Sequence, residues 1–321
     1  MPRSVSVAHS LRSFALWYGL LVNLRAVFPP MPTPFKDGEI DEAAIGTNVR
    51  HWMTTGLGGI VALGTNGEAS LLDDDEADRV LAAVRAAVPA GRTLIAGVGR
   101  ESTRATVAAA RRAAAAGADA VLVRTPSFYR AHVPVPSLVA HYTAVADASP
   151  VPVLLYNYAA FTGVNLAPDT IARLAAHPNV AGLKETSTDG AQFADLSAAV
   201  PSRFTVMAGS APGVYAALCA GAQGAILAVA CVTPELCLEL FEHARQGRFA
   251  QALDCQQRLT PLARAVTSGF GIAGLKAAMD LSGLTGGEPR PPLAPLAREG
   301  VEKIRSLLDA TRVNSANAAR R

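Results

Sequence analysis

Charge is scarce in this 321-residue chain: 17% of the residues are charged, 50% are hydrophobic, and the net charge is +3. A charge so small and so evenly spread lacks the basic face that nucleic-acid binding needs, so no nucleic acid is expected as a partner. The same composition excludes a disordered chain and implies a large buried core. Cysteine is sparse too. Cys219, Cys231, Cys237 and Cys255 fall in one third of the chain with no CxxC pair. They read as reduced, mostly buried thiols in a reducing compartment rather than a disulfide framework. No histidine stands at ligand spacing beside them, and the six histidines (His9, His51, His132, His141, His177, His243) are scattered, so no metal is expected. No GxGxxG turn follows an apolar run, which argues against a dinucleotide site. The apolar run Phe14 to Val22 is too short to cross a membrane.

Acidic residues are missing altogether from the first 36 positions, which carry Arg3, Arg12 and Arg25 among several serines. Such a segment fits a mitochondrial transit peptide or a short signal-like core. It fits equally a plain extension ahead of a domain that begins near Asn23. Residues 1–22 are read as that extension, and the expected compartment is the cytoplasm, with the mitochondrion as the alternative. The polar stretch 311–321 is read as a frayed tail.

What the chain does have is alternation. Short apolar runs recur roughly every 25 to 35 residues: Ala26–Phe28, Gly59–Leu63, Thr93–Val98, Ala120–Val123, Val151–Tyr156, Val180–Lys184, Phe204–Ser210 and Gly224–Ala228. Helical patterns separate them, among them Asp41 to Thr55, Asp73 to Val88 with an acidic first turn, and a stretch from the N-cap Ser102 to a stop at Gly117. Regular βα alternation that closes at eight predicts a TIM (β/α)8 barrel over 23–232. The open doubly wound sheet is the competing architecture. Residues 233–310 read as further helices packed on the barrel.

In such a barrel the chemistry gathers at the C-terminal ends of the strands. The sixth run carries Lys184 out of an apolar stretch. Burial disfavours an ammonium, so a lysine there tends toward a free amine able to attack a ketone. A lysine that merely snorkels to solvent is the other reading. The second run ends at Gly64-Thr65-Asn66-Gly67-Glu68, a turn whose backbone amides suit a carboxylate, or an ordinary Asn-Gly turn. The fifth run ends at Tyr156, either a proton relay or a core-rim phenol. Thr186, Gly209, Ser210 and Ile226 fall on the same rim as candidate substrate-lining groups. A lysine nucleophile, a proton relay and a carboxylate cradle are what a metal-free 2-oxo acid aldolase needs.

The motifs Gly64-Thr65-Asn66-Gly67-Glu68, Tyr156-Asn157 with Thr162-Gly163, and Gly182-Leu183-Lys184-Glu185 resemble the dihydrodipicolinate synthase / N-acetylneuraminate lyase family over Asn23 to Leu308. The resemblance implies a carbon-carbon lyase with a Schiff base on Lys184, Tyr156 as proton shuttle, and Thr65 with the Asn66 backbone on the substrate carboxylate. It implies a 2-oxo acid and an aldehyde as small-molecule partners, no cofactor, and a tetramer of tight dimers. Phe270-Gly271-Ile272-Ala273-Gly274-Leu275-Lys276, Thr125 to Arg130, and Gly286-Gly287 with Arg290-Pro291-Pro292-Leu293 favour the branch that splits 4-hydroxy-2-oxoglutarate into pyruvate and glyoxylate. Condensation of pyruvate with aspartate semialdehyde is the alternative, and a non-catalytic 2-oxo acid sensor the third. Two positions depart from the family pattern. Phe161 stands where the synthases have an arginine for the acceptor's carboxylate, which leaves Arg130 as the candidate. Phe128 stands where a partner subunit's relay tyrosine is usual, with Tyr129 beside it.

Overall fold

The computed structural model describes residues 22–318; the extension proposed for 1–22 lies, except for Val22, outside the described residues. Among the described residues ten strands occur in chain order: β1 (Val27–Phe28), β2 (Phe35–Lys36), β3 (Glu39–Ile40), β4 (Gly59–Ala62), β5 (Thr93–Gly97), β6 (Ala120–Arg124), β7 (Val153–Asn157), β8 (Val180–Glu185), β9 (Thr205–Ala208) and β10 (Gly224–Ile226). Eight of them form one parallel sheet in the order β1-β10-β9-β8-β7-β6-β5-β4. A parallel bridge from Pro30 to Val61 joins the two ends. Prolines have no N–H to offer, so the closure uses the Pro29 carbonyl, which accepts from Val61 N at 3.1 Å, and Met31 N, which donates to Val61 O at 3.0 Å. The barrel is therefore closed, and the open doubly wound sheet is excluded.

Alternation along the strands sorts side chains into two cores. On β7, Leu154 and Tyr156 point into the barrel, where they join Phe28, Val61, Ile95, Leu122, Met207 and Ile226. Val153 and Leu155 point outward into the larger cluster beneath the helices. The same rule turns Lys184 inward and Glu185 outward on β8. Register places Tyr156, Lys184 and Met207 side by side across three strands.

The helices follow the sequence signals. α1 (Glu42–Met53) is capped by Asp41, and α2 (Asp74–Ala87) by a capping box between Asp73 and Glu76. α3 (Thr103–Ala115) is capped by Ser102. The ring continues through α4 (Val135–Ala148), the short α5 (Ala159–Thr162), α6 (Pro168–Ala175), α7 (Gly190–Ala199), α8 (Val214–Cys219) and α9 (Pro234–Arg245). α9 packs against α8 and β1, so it completes the ring. Beyond it lie α10 (Phe249–Arg264), α11 (Gly271–Leu281) and α12 (Arg298–Ala318). The stretch from 311 expected to fray instead continues α12 to Ala318, since no proline or glycine interrupts it. The β2–β3 hairpin was not expected. Its signal is Asp37-Gly38, both at positive φ (52° and 83°), the pair that a two-residue hairpin turn prefers.

Candidate active site

Lys184 ends its strand almost wholly enclosed, at 5% exposure. No carboxylate lies within ion-pair distance of it among the described residues, and burial pulls its pKa down to about 7. Its Nζ sits 4.3 Å from the centre of the Tyr156 ring. The ring face attracts an ammonium, by about 2 kcal/mol when the pair is dry. That is less than the penalty burial lays on the charge, so the amine still comes down. Space for the lysine depends on Gly209: a Cβ there would stand 3.1 Å from Lys184 Cε and 2.6 Å from Thr186 Cγ2.

Tyr156 connects the lysine to the second strand's turn. Its hydroxyl shares a hydrogen bond with Thr65 Oγ1 at 3.1 Å. Burial raises its pKa, with the Thr65 bond opposing, so the phenol keeps its proton. Tyr158 stacks beyond it at 5.8 Å and is pushed up to about 12 by burial and by Tyr156. The turn itself is closed by Gly67 N on Gly64 O and Glu68 N on Thr65 O, both 3.1 Å. Asn66 Nδ2 reaches the Pro30 carbonyl at 3.5 Å. The Thr65 and Asn66 backbone amides have no acceptor among the described residues.

A cavity of about 890 Å³ opens over this group, walled by Gly64, Thr65, Tyr156, Phe128, Arg130 and Phe161 among others. These six are the predicted residues that the fold brings to one wall. Lys184 is not on that wall, but it lies against Tyr156, which is. Six other predicted positions also lie off the wall: Asn66, Tyr129, Thr186, Gly209, Ser210 and Ile226. Thr186 spends its hydroxyl on the Asn157 carbonyl at 2.7 Å and so ties β8 to β7. Ile226 is fully buried inside the barrel. Gly209 serves as the clearance for Lys184, and Ser210 precedes the turn at Ala211. Tyr129 lines a separate, smaller pocket with Phe128 and His132 and packs edge-on against Phe128 at 4.9 Å. Phe128, Tyr129 and Phe161 are exposed at 75%, 69% and 70%.

Three acids near the site, Glu101, Glu185 and Glu68, have no role in the sequence reading, although the last two stand in the quoted motifs. Glu101 lines the cavity, and its carboxylate accepts from Ser127 N and Phe128 N, each at 2.9 Å, and from Arg124 at 2.7 Å. These bonds hold its carboxyl below the usual range against a burial effect that raises it. Glu185, raised by burial, accepts from Asn157 at 2.7 Å, Gln192 at 2.9 Å and Ser187 N at 2.7 Å, which fixes the strand end behind Lys184. Glu68 binds Lys276, as described below. Both acids on the cavity wall are thus already held by cations and amides. Away from the cavity, Glu239, His243 and Cys255 come within 4.8 Å of one another, a juxtaposition that sequence spacing did not disclose. Arg248 already donates to His243 Nδ1 at 2.7 Å, and Arg258 lies 3.9 Å from Glu239.

A closed parallel barrel with a buried, acid-free lysine at a strand end is the framework of a class I aldolase. The chain belongs to the dihydrodipicolinate synthetase family, whose sequence profile matches residues 23–311. It is a carbon-carbon lyase of the class I aldolase type. The 4-hydroxy-tetrahydrodipicolinate synthase of Exiguobacterium sp. is 35% identical over 282 residues, covering 87% of this chain and 95% of the relative. The enzyme of that name from Methanothrix thermoacetophila is 35% identical over 290 residues, covering 88% and 96%. Among solved structures, the dihydrodipicolinate synthase of Thermotoga maritima superposes with a TM-score of 0.87 at 31% identity, covering 90% of this chain and 99% of that one. Among the described residues, no helix is long and apolar enough to cross a membrane.

Proposed function

We propose that Lys184 attacks the ketone of pyruvate and that the chain joins pyruvate to an aldehyde bearing a carboxylate, aspartate semialdehyde first. The carrying observation is the buried amine without an acid, its pKa near 7, against the Tyr156–Thr65 hydroxyl pair. The neutral amine adds to C2, and water leaves to form the imine. The water released then carries a proton from C3 to the imine nitrogen, giving the enamine. The enamine carbon attacks the aldehyde, forming the new C–C bond. Tyr156 delivers the proton that the resulting alkoxide takes up, and water hydrolyses the iminium, which returns a proton to Tyr156 and frees Lys184. The open amides of Thr65 and Asn66 receive the pyruvate carboxylate. The lysine performs the covalent chemistry itself, so no cofactor or metal enters the cycle.

The names of the curated relatives favour aspartate semialdehyde as acceptor. Cleavage of 4-hydroxy-2-oxoglutarate is the second reading, favoured by Phe161, which stands where the synthases that the chain resembles carry an arginine. In either case Arg130 receives the second carboxylate. It lines the cavity, its Cδ and Nε lie against Gly163, and it makes no ion pair among the described residues. The other two arginines on the wall are committed, Arg100 to Asp74 and Arg124 to Glu101. We further propose that a second copy covers the exposed Phe128 and Tyr129 within a homotetramer, and that the protein works in the cytoplasm. Turnover with pyruvate plus aspartate semialdehyde, compared with cleavage of 4-hydroxy-2-oxoglutarate, tests the acceptor. The proposal expects the semialdehyde to win by tenfold or more in kcat/KM, and Arg130→Ala to raise KM for both substrates. Faster 4-hydroxy-2-oxoglutarate cleavage would replace the first reading with the second.

A further inference from the structure

The motif around Lys276 and the pair Gly286-Gly287 with Arg290 take no part in this chemistry, yet they converge on the turn that carries Thr65 and Asn66. Lys276 lies on α11 and Glu68 ends the turn; their side chains are 1% and 0% exposed, and Nζ stands 2.6 Å from Oε1. Nζ also donates to the Glu288 carbonyl at 2.8 Å. The other carboxylate oxygen of Glu68 accepts from Arg290 N at 2.7 Å. Arg290 in turn donates to Glu76 at 2.6 Å, the Leu71 carbonyl at 3.1 Å and the Gly38 carbonyl at 2.8 Å. Lys276 and Arg290 both lie on the Phe35 ring, at 4.5 and 4.3 Å. Gly286 packs directly on the Lys276 backbone, where any Cβ would overlap it.

Two further facts bear on what this arrangement does. Leu63 and Glu68, which flank the turn, both sit in the left-handed region at φ 55° and 54°. Such positions are costly for residues other than glycine and persist only where the surroundings over-determine them. A buried ion pair, in turn, adds little stability over a well-packed apolar pair. Its use here is to fix a geometry. We propose that the Glu68–Lys276 pair, closed by Arg290, is a latch by which the C-terminal helices hold the Thr65-Asn66 turn in its carboxylate-receiving shape. Glu68 and Lys276 are thus positioning residues, a conclusion that rests on the cradle role proposed for that turn.

The test is the double variant Glu68→Gln with Lys276→Met, which removes both charges at little change in volume. Hydrogen exchange is compared for the peptides covering 63–68 and 180–187, alongside borohydride trapping at increasing pyruvate. The latch predicts a folded variant whose turn amides exchange about tenfold faster while the Lys184 strand is unchanged. It predicts half-saturating pyruvate raised about tenfold, with the limiting trapping rate within about threefold of the parent. Parent-like exchange at the turn, or parent-like half-saturation, in a folded variant overturns it. Should the double variant fail to fold, Glu68→Asp keeps the charge, shortens its reach, and is judged by the same two readouts. If the parent protein itself traps no pyruvate, the imine reading fails, and turn exchange alone still decides the latch.

Discussion

Two lysines are buried in this molecule, and only one of them is placed to react. Lys184 is 5% exposed and Lys276 is 1% exposed. Each has an aromatic face beside it, Tyr156 at 4.3 Å and Phe35 at 4.5 Å. Depth and ring are common to both, so neither makes the difference. What differs is the acid. Burial lowers the pKa of both, but the Glu68 carboxylate opposes it at Lys276, and no carboxylate does so at Lys184 among the described residues. At the strand end the outcome is a free amine near neutral pH; on the C-terminal helix it is half of an ion pair. A buried lysine is therefore a nucleophile or a clamp according to one carboxylate.

The comparison breaks most visibly if each lysine is replaced by methionine. Lys184→Met should cost about 10⁴-fold or more in activity, because the covalent step has no substitute. The same change should stabilise the fold. Lys184 has a folded pKa of about 7, below its unfolded value of about 10.4. The penalty is absent above the unfolded value, grows as pH falls, and is complete below the folded value. At pH 7 its removal should gain on the order of 4 kcal/mol, a gain that fades toward pH 10. Lys276→Met should do the reverse and cost about 3–5 kcal/mol, since it leaves Glu68 buried and unpaired. Thermal unfolding of both variants at pH 7 and pH 9.5 checks the signs. Two shifts in the same direction would erase the distinction drawn between the lysines.

A smaller effect separates the amine from its relay. Tyr156→Phe keeps the ring face and the burial of Lys184 but removes the hydroxyl bonded to Thr65. Turnover should fall about 10²- to 10³-fold while pyruvate is still trapped on Lys184. Loss of trapping as well would mean that the phenol is needed before the imine forms.

The sequence shows the barrel more clearly than the site. All eight strand runs and the flanking caps at Asp73 and Ser102 are local patterns, and local patterns are what periodicity reports. Lys184, Tyr156 and Thr65 are visible as strand-end residues because a barrel puts all strand ends on one rim. Lys276 shows the limit of such reading. It too is a lysine in an apolar run, Gly274-Leu275-Lys276-Ala277-Ala278-Met279. What distinguishes it is Glu68, which folding delivers from the other end of the chain. The clamps by Glu101 and Glu185 depend in the same way on amides and amide side chains from other segments. Thr186 and Ile226 end the right strands, yet their side chains turn to the Asn157 carbonyl and the barrel interior, directions that strand-end position alone does not report.

The central claim is that Lys184 is the one amine here able to capture a ketone, and borohydride reduction in the presence of pyruvate tests it directly. The chain has four lysines, Lys36, Lys184, Lys276 and Lys303, so peptide mass mapping identifies the modified one without ambiguity. The account predicts one pyruvyl adduct, on Lys184, with a trapping rate that falls about tenfold per pH unit below pH 7 and levels off above it. An adduct on Lys36, Lys276 or Lys303 instead, one that survives Lys184→Met, or none at all would contradict it.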